Sequence, residues 1–275
     1  MFERPFLHRP LVSLITLLVC ALFAVPGGLR AGEDDERAGW DLIARFSATA
    51  AEPAFAGAAE GGTPQQRLGL AAVYLGKYPQ TPGNVDRAEE LLHGVLAETE
   101  DRNLRAASLY VLARIAHLFH EGRTAEAADF YQKLVREYPE TRLADTATVK
   151  LALLEFDQLP MNATQADVLA LIDGLTRPRR AAARGNFHQA VAALLLERGE
   201  LRAGWTHLKA ALELDTATGK NRADLLVKTG RVGSLIGEAA AARSAYATFM
   251  ADYPSDVRAY MVQRELEHLS GGVVP

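Results

Sequence analysis

The chain has 275 residues, 49% hydrophobic and 23% charged, with a formal net charge of −4. That mild acidic balance argues against a nucleic-acid binder, which carries a clear basic excess. The single cysteine, Cys20, lies close to the N-terminus, so a chain shortened there has no disulfide, thiolate zinc site or thiol nucleophile.

Residues 1–31 read as a secretory leader. Arg4, His8 and Arg9 give a basic start, 11–25 is an apolar run, and Pro26-Gly27-Gly28 breaks it before Leu29-Arg30-Ala31. The run is short of the ~20 apolar residues that a membrane span needs. Cleaved export is the expectation, with an uncleaved anchor as the alternative. Val19 precedes Cys20 and Ala21-Leu22-Phe23-Ala24 comes after it. There is thus no small residue before the cysteine and no polar stretch after it, so membrane association would not run through a lipid-modified cysteine.

After the leader, residues 36–50 predict one short helix with Trp40, Ile43 and Phe46 on one face, a cap for the first helix pair. Residues 51–64 combine Ala and Gly with Pro53 and Pro64 and predict a flexible linker. Five helix pairs are then expected: 66–77 with 84–99, 103–120 with 124–137, 142–157 with 164–176, 180–197 with 200–214, and 220–236 with 238–252. Thr124 and Thr164 are candidate N-caps, and Ser255 is expected to cap a last helix to about residue 269. Residues 271–275 should fray.

The pairs share a pattern. Gly122 is followed by Ala127, Phe130, Tyr131, Leu134, Val135 and Pro139; Gly237 is followed at matching offsets by Ala242, Tyr246, Phe249 and Pro254. Looser copies start at Gly199 (Gly204, Leu208, Ala211) and Gly83 (Ala88, Leu92, Val95). A fifth, degenerate copy is expected around Leu159-Pro160-Met161-Asn162. Copies at a fixed period near 38 residues mark stacked helical hairpins, since no hairpin buries its apolar face alone. The chain is therefore read as all-α, a right-handed α-solenoid of about five hairpins over 65–270 with a C-terminal capping helix.

The turn glycine, small residue, aromatic and closing proline resemble the tetratricopeptide repeat (TPR). The endings Glu137-Tyr138-Pro139 and Asp252-Tyr253-Pro254 resemble those of bacterial periplasmic and outer-membrane assembly proteins. The resemblance implies a scaffold that binds proteins, at work in the cell envelope: outer-membrane assembly, cell-wall coordination, or a secretion or uptake complex.

No chemistry-bearing motif competes with that expectation. There is no Gly-rich phosphate loop and no nucleophile elbow, and Gly233-Ser234-Leu235-Ile236-Gly237 has the wrong spacing for one. His117 and His120 stand three apart on one helix beside Glu121, but a metal site needs a third ligand that nothing signals. His188 and His207 lie on opposite helices of one pair and read as packing or groove residues. We therefore expect no catalytic residue, no metal and no cofactor; a helical-toroid hydrolase is the remaining enzymatic alternative. The densest basic run, Arg177-Pro178-Arg179-Arg180 with Arg184, reads either as a solvated turn or as a docking patch for an acidic partner or lipid headgroups.

Charge divides by helix. Over the ranges above, Lys and Arg less Asp and Glu come to +7 on the first helices and −7 on the second. In a TPR-type array the first helices line the concave face. That face is thus expected to be basic, to carry Arg105, Arg114, His117, Lys150, Arg184, His188, Lys228 and Arg231, and to attract a protein or peptide of acidic character.

Overall fold

The computed structural model describes residues 33–160 and 162–271. The leader over 1–31 with Cys20, and all of the 271–275 tail except Gly271, lie outside them. Among the described residues there are thirteen α-helices and no strand. Residues to Ala147 form one compact unit and those from Thr148 a second, each taken by itself.

Unit 1 opens with α1 (Glu33–Ala44), α2 (Ala48–Phe55) and a 3-10 turn (Ala56–Glu60). This corrects two expectations. The helix over 36–50 is two helices, because the chain turns at Phe46, which has φ 61 and is exposed. The linker over 51–64 is instead ordered and helical through residue 60. Ala51, Phe55 and Ala58 fall at helical spacing and are all buried. The ring of Phe55, 0% exposed, lies where a side chain on Gly39 of α1 or Gly69 of α3 would have to be, and it meets Trp40 edge-on at 5.4 Å. Alanines and glycines here permit close helix approach rather than flexibility.

Two hairpins and one further helix come after the cap. α3 (Pro64–Gly76) starts at a capping box in which Thr63 and Gln66 bond reciprocally. It pairs with α4 (Pro82–Glu98), whose Thr81 accepts from the Asn84 N–H. Arg67 of α3 grips Glu98 of α4 through both nitrogens at 2.6 and 2.5 Å. α5 (Arg102–Leu118) is capped by Asp101 and pairs with α6 (Thr124–Glu137). Thr124 is the first helical residue rather than the cap; Arg123 holds that position and makes no side-chain cap bond. α7 (Arg142–Asp157) gives its first turns to unit 1 and the rest to unit 2.

Unit 2 continues with α8 (Gln165–Gly174), α9 (Ala181–Glu197), α10 (Leu201–Glu213), α11 (Gly219–Leu235), α12 (Ala239–Asp252) and α13 (Ala259–Leu269). Thr164 caps α8 as expected, in a capping box with Asp167. Ser255 does not cap α13; Asp256 accepts from the Arg258 N–H at that turn. α9 and α10 pair, as do α11 and α12, with α13 against α12.

The repeat pattern is a burial pattern. Ala88, Leu92 and Val95; Ala127, Tyr131 and Leu134; Gly204, Leu208 and Ala211; and Ala242, Tyr246 and Phe249 are all buried. Val168, Ile172 and Leu175 repeat the same steps and are buried too, which supplies the degenerate copy. Gly122, Gly199 and Gly237 turn their hairpins with φ of +81°, +82° and +82°, a conformation that side chains resist. Gly83 differs. It lies inside α4, because Thr81 and Pro82 start that helix earlier.

Candidate functional site

The eight residues expected on the basic face divide sharply between the units. In unit 1, Arg105 of α5 is held inward. Its guanidinium donates to the Tyr138 hydroxyl at 2.8 Å and to the carbonyls of Leu96 and Thr99 at 2.8 and 2.9 Å. Arg114 is 5% exposed and lies in the electrostatic reach of Tyr110 and Tyr131. It is a core side chain, so its place in an open basic face is corrected. His117 is half-buried at the end of α5. His120 points its Nε2 at Glu89 of α4, 3.4 Å away. Glu89 is clamped by Arg123, which also holds Glu126 at 2.6 and 2.7 Å. Hydrogen bonding to Arg123 holds the Glu89 carboxyl below its ordinary range. This network ties α4 to the α5–α6 turn, and His117 and His120 sit at its edge. Among the described residues no group of three His, Cys, Asp or Glu is placed to hold a metal ion.

In unit 2, Lys150 of α7 is half-buried and engaged. Lys228 and Arg231 of α11 are not buried, and Arg231 is exposed. Arg184 and His188 lie one turn apart on α9. The Arg184 guanidinium donates to the carbonyl of Arg179, closing the turn that enters the helix. Of the basic run, Arg179 and Arg180 have partners. Among the described residues no carboxylate makes an ion pair with Arg177, Arg184, Lys228 or Arg231.

His188 and His207 meet across the α9–α10 hairpin. Their Nδ1 atoms stand 3.1 Å apart and their ring centroids 5.0 Å, with Phe187 edge-on to His188 at 5.7 Å. One ring must donate and the other accept through Nδ1, so at most one of the two rings is protonated on both nitrogens in this geometry. Desolvation lowers the basicity of both; Arg177 and Arg184 depress His188 further, and His188 and Arg177 depress His207 to about 4. Glu213 and Asp173 act in the opposite sense and more weakly. The sequence places His188 and His207 in one helix pair, but the meeting of their nitrogens depends on hairpin register, which no spacing rule supplies.

A cleft also opens between α10, α11 and α12. Leu226, Thr229 and Ala245 are buried at its base, and Lys209, Arg222 and Ser244 line its rim. Arg222 is matched by Asp215 and, at 3.8 Å, by Asp252. Lys209 stands over the Trp205 ring at 3.8 Å.

The sign contrast between first and second helices is partly internal. Arg67 pairs with Glu98 and Arg222 with Asp252, each a first helix bound to a second. Among the described residues, Arg184 of α9 and Lys228 and Arg231 of α11, all in unit 2, make no ion pair with a carboxylate.

Residues 104–141 match the family model of the tetratricopeptide repeat. That range runs from the first turn of α5 to the end of the α6 hairpin, and holds Gly122, Ala127, Tyr131 and Pro139. No curated protein matches the chain. Among solved structures, the chain is similar to the TPR2AB-domain:pHSP90 complex of yeast Sti1, with 13% identity and a TM-score of 0.33 over 87% of this chain and 98% of that one. It is also similar to a tetratricopeptide repeat protein from Parabacteroides merdae ATCC 43184, with 16% identity and a TM-score of 0.35 over the same shares. Residues 104–141 are thus similar to a tetratricopeptide repeat, in a chain whose described residues fold into helical hairpins.

Proposed function

We propose that the chain is an exported, non-enzymatic scaffold of the bacterial cell envelope that captures an acidic segment of a protein partner through unit 2. One observation carries the reading: Lys228 and Arg231 of unit 2 are exposed and make no ion pair among the described residues, whereas Arg105 and Arg114 of unit 1 are locked or buried. An extended helical surface with unmatched positive charge favours an acidic peptide by steering and complementarity, with no need of a reaction pocket. The basic start and apolar run of 1–31 support export, and the Tyr-Pro endings support a place among envelope assembly proteins. Among the described residues no helix is long and apolar enough to cross a membrane.

Charge reversal tests the partner reading. Lys228→Glu with Arg231→Glu should cut capture of acidic partners from envelope extracts several-fold, with helical content unchanged by circular dichroism. Equal capture by the variant overturns it. Fractionation with mass measurement tests export: a released chain shorter by about 31 residues is expected, and a full-length, membrane-held chain points to the anchored adaptor instead.

A further inference from the structure

We propose that two copies of the chain pair through the outer face of α13, turned antiparallel about a two-fold axis. The pairing stands independently of the partner reading above.

Both faces of α13 carry apolar side chains. On the inner one Val262 is buried, and with Leu266 and Leu269 it joins the cluster around Tyr246 and Phe249 of α12. Helical spacing turns the opposite face outward. There Tyr260 is 73% exposed and Met261 52%, and Val257, in the turn just before the helix, is 97% exposed. A single exposed apolar side chain is ordinary. Here three of the seven large ones exposed among the described residues fall within five positions. An apolar patch gathered in this way marks a contact surface.

The charges around the patch select its occupant. At one end Asp224 and Asp256 share the single guanidinium of Arg258, at 2.5 and 2.8 Å. Two carboxylates on one cation leave an excess of negative charge there. At the other end, one turn past Tyr260, stands Arg264. It is exposed and makes no ion pair among the described residues; its guanidinium reaches the Tyr260 hydroxyl at 3.4 Å. The stripe thus runs acidic, apolar, basic, and such a stripe complements its own reverse. With the axis beside Tyr260 and Met261, those side chains meet their copies. Arg264 of each chain then lies over Val257 and next to Asp256 of the other, so that residue i meets j and j meets i. An apolar centre within a charged rim is the anatomy of a protein interface. The acidic segment proposed for Lys228 and Arg231 does not suit this face, because Glu265 and Glu267 flank it, both exposed. One short helix on another makes a contact at the low end of interface size, so the pair should form reversibly at micromolar concentration.

Sedimentation of the full chain from ~1 to ~300 μM should show the average mass rising from one chain toward two. Met261→Lys and Tyr260→Ser alter exposed positions, so helical content should stay unchanged by circular dichroism. Each should move the midpoint ~10-fold or more to higher concentration, as loss of a central anchor does. Leu235→Ser, at an exposed apolar position on α11, should leave the midpoint where it is. In a Cys20→Ser chain, Val257→Cys combined with Arg264→Cys should cross-link into dimers under mild oxidation several-fold faster than either cysteine alone, because reversal brings 257 to 264 and keeps each from its own copy. A single-chain mass at every concentration would overturn the proposal. Dimers that persist equally in Met261→Lys and Tyr260→Ser, or that weaken as much in Leu235→Ser, would overturn the assignment to α13. Single cysteines that link as fast as the pair would overturn the antiparallel arrangement.

Discussion

Some glycines leave the space that an aromatic ring of a neighbouring helix fills. A Cβ on Gly230 of α11 would collide with the Tyr246 ring of α12, and one on Gly69 would collide with the ring of Phe55. Gly230→Ala should therefore destabilise by about 1–3 kcal/mol, measured as a lowered denaturant midpoint with unchanged slope, because the buried Tyr246 ring has little room to yield. Gly83→Ala should be neutral or slightly stabilising, since nothing lies near its Cβ and it sits within a helix. His207 gives a pH signature at the same scale. Its folded-state pKa, about 4, lies below the unfolded value near 6.5. The neutral ring contributes stability above about pH 6.5, and that contribution is lost as pH falls toward 4. His207→Gln should flatten the acid limb of a stability–pH curve in that window.

At the scale of the element, turns and caps decide where helices begin. Thr164→Ala removes one half of a capping box and should cost about 1 kcal/mol, read as a lower thermal midpoint. Phe55→Ala should cost more, about 3–5 kcal/mol, because the ring fills the gap between α1 and α3 and the small residues around it cannot collapse inward. The hairpins were legible for a physical reason. A small residue, then an apolar one four and again three positions later, follows the helical period, and the buried face must keep that spacing whatever else varies. Thr164 was readable for the same local reason. The α1–α2 cap was not, because Ala- and Gly-rich chain with Pro53 has the composition of a linker, and only the fit of Phe55 against two distant glycines makes it core. Thr124 was misplaced by one residue and Ser255 by three, because Arg123 and Arg258 hold the cap positions there without any side-chain cap bond that a sequence rule could read.

Across the whole molecule, charge is arranged rather than abundant. The net charge of −4 conceals a first-helix excess of cations, part of which closes hairpins through pairs such as Arg67 with Glu98. The sequence carried the sign of each helix but not which cations were already matched, since pairing depends on reach between helices far apart in sequence. Arg105 and Arg114 looked like surface charges for a related reason: Arg105 is half-buried and bound to the Tyr138 hydroxyl and two carbonyls, and Arg114 is buried. The remaining unmatched cations should make partner capture sensitive to salt. Raising ionic strength from ~0.05 to ~0.5 M should weaken it severalfold, chiefly through a slower association rate.

The Phe55 wedge has one more consequence. A hairpin stack whose edge stayed open could accept a foreign hairpin, or another copy, and grow without limit. In unit 1, α1 and α2 fold back over α3 and plug that edge with an aromatic ring. The α3 surface that a second hairpin would need is thereby already taken by the chain's own α1 and α2.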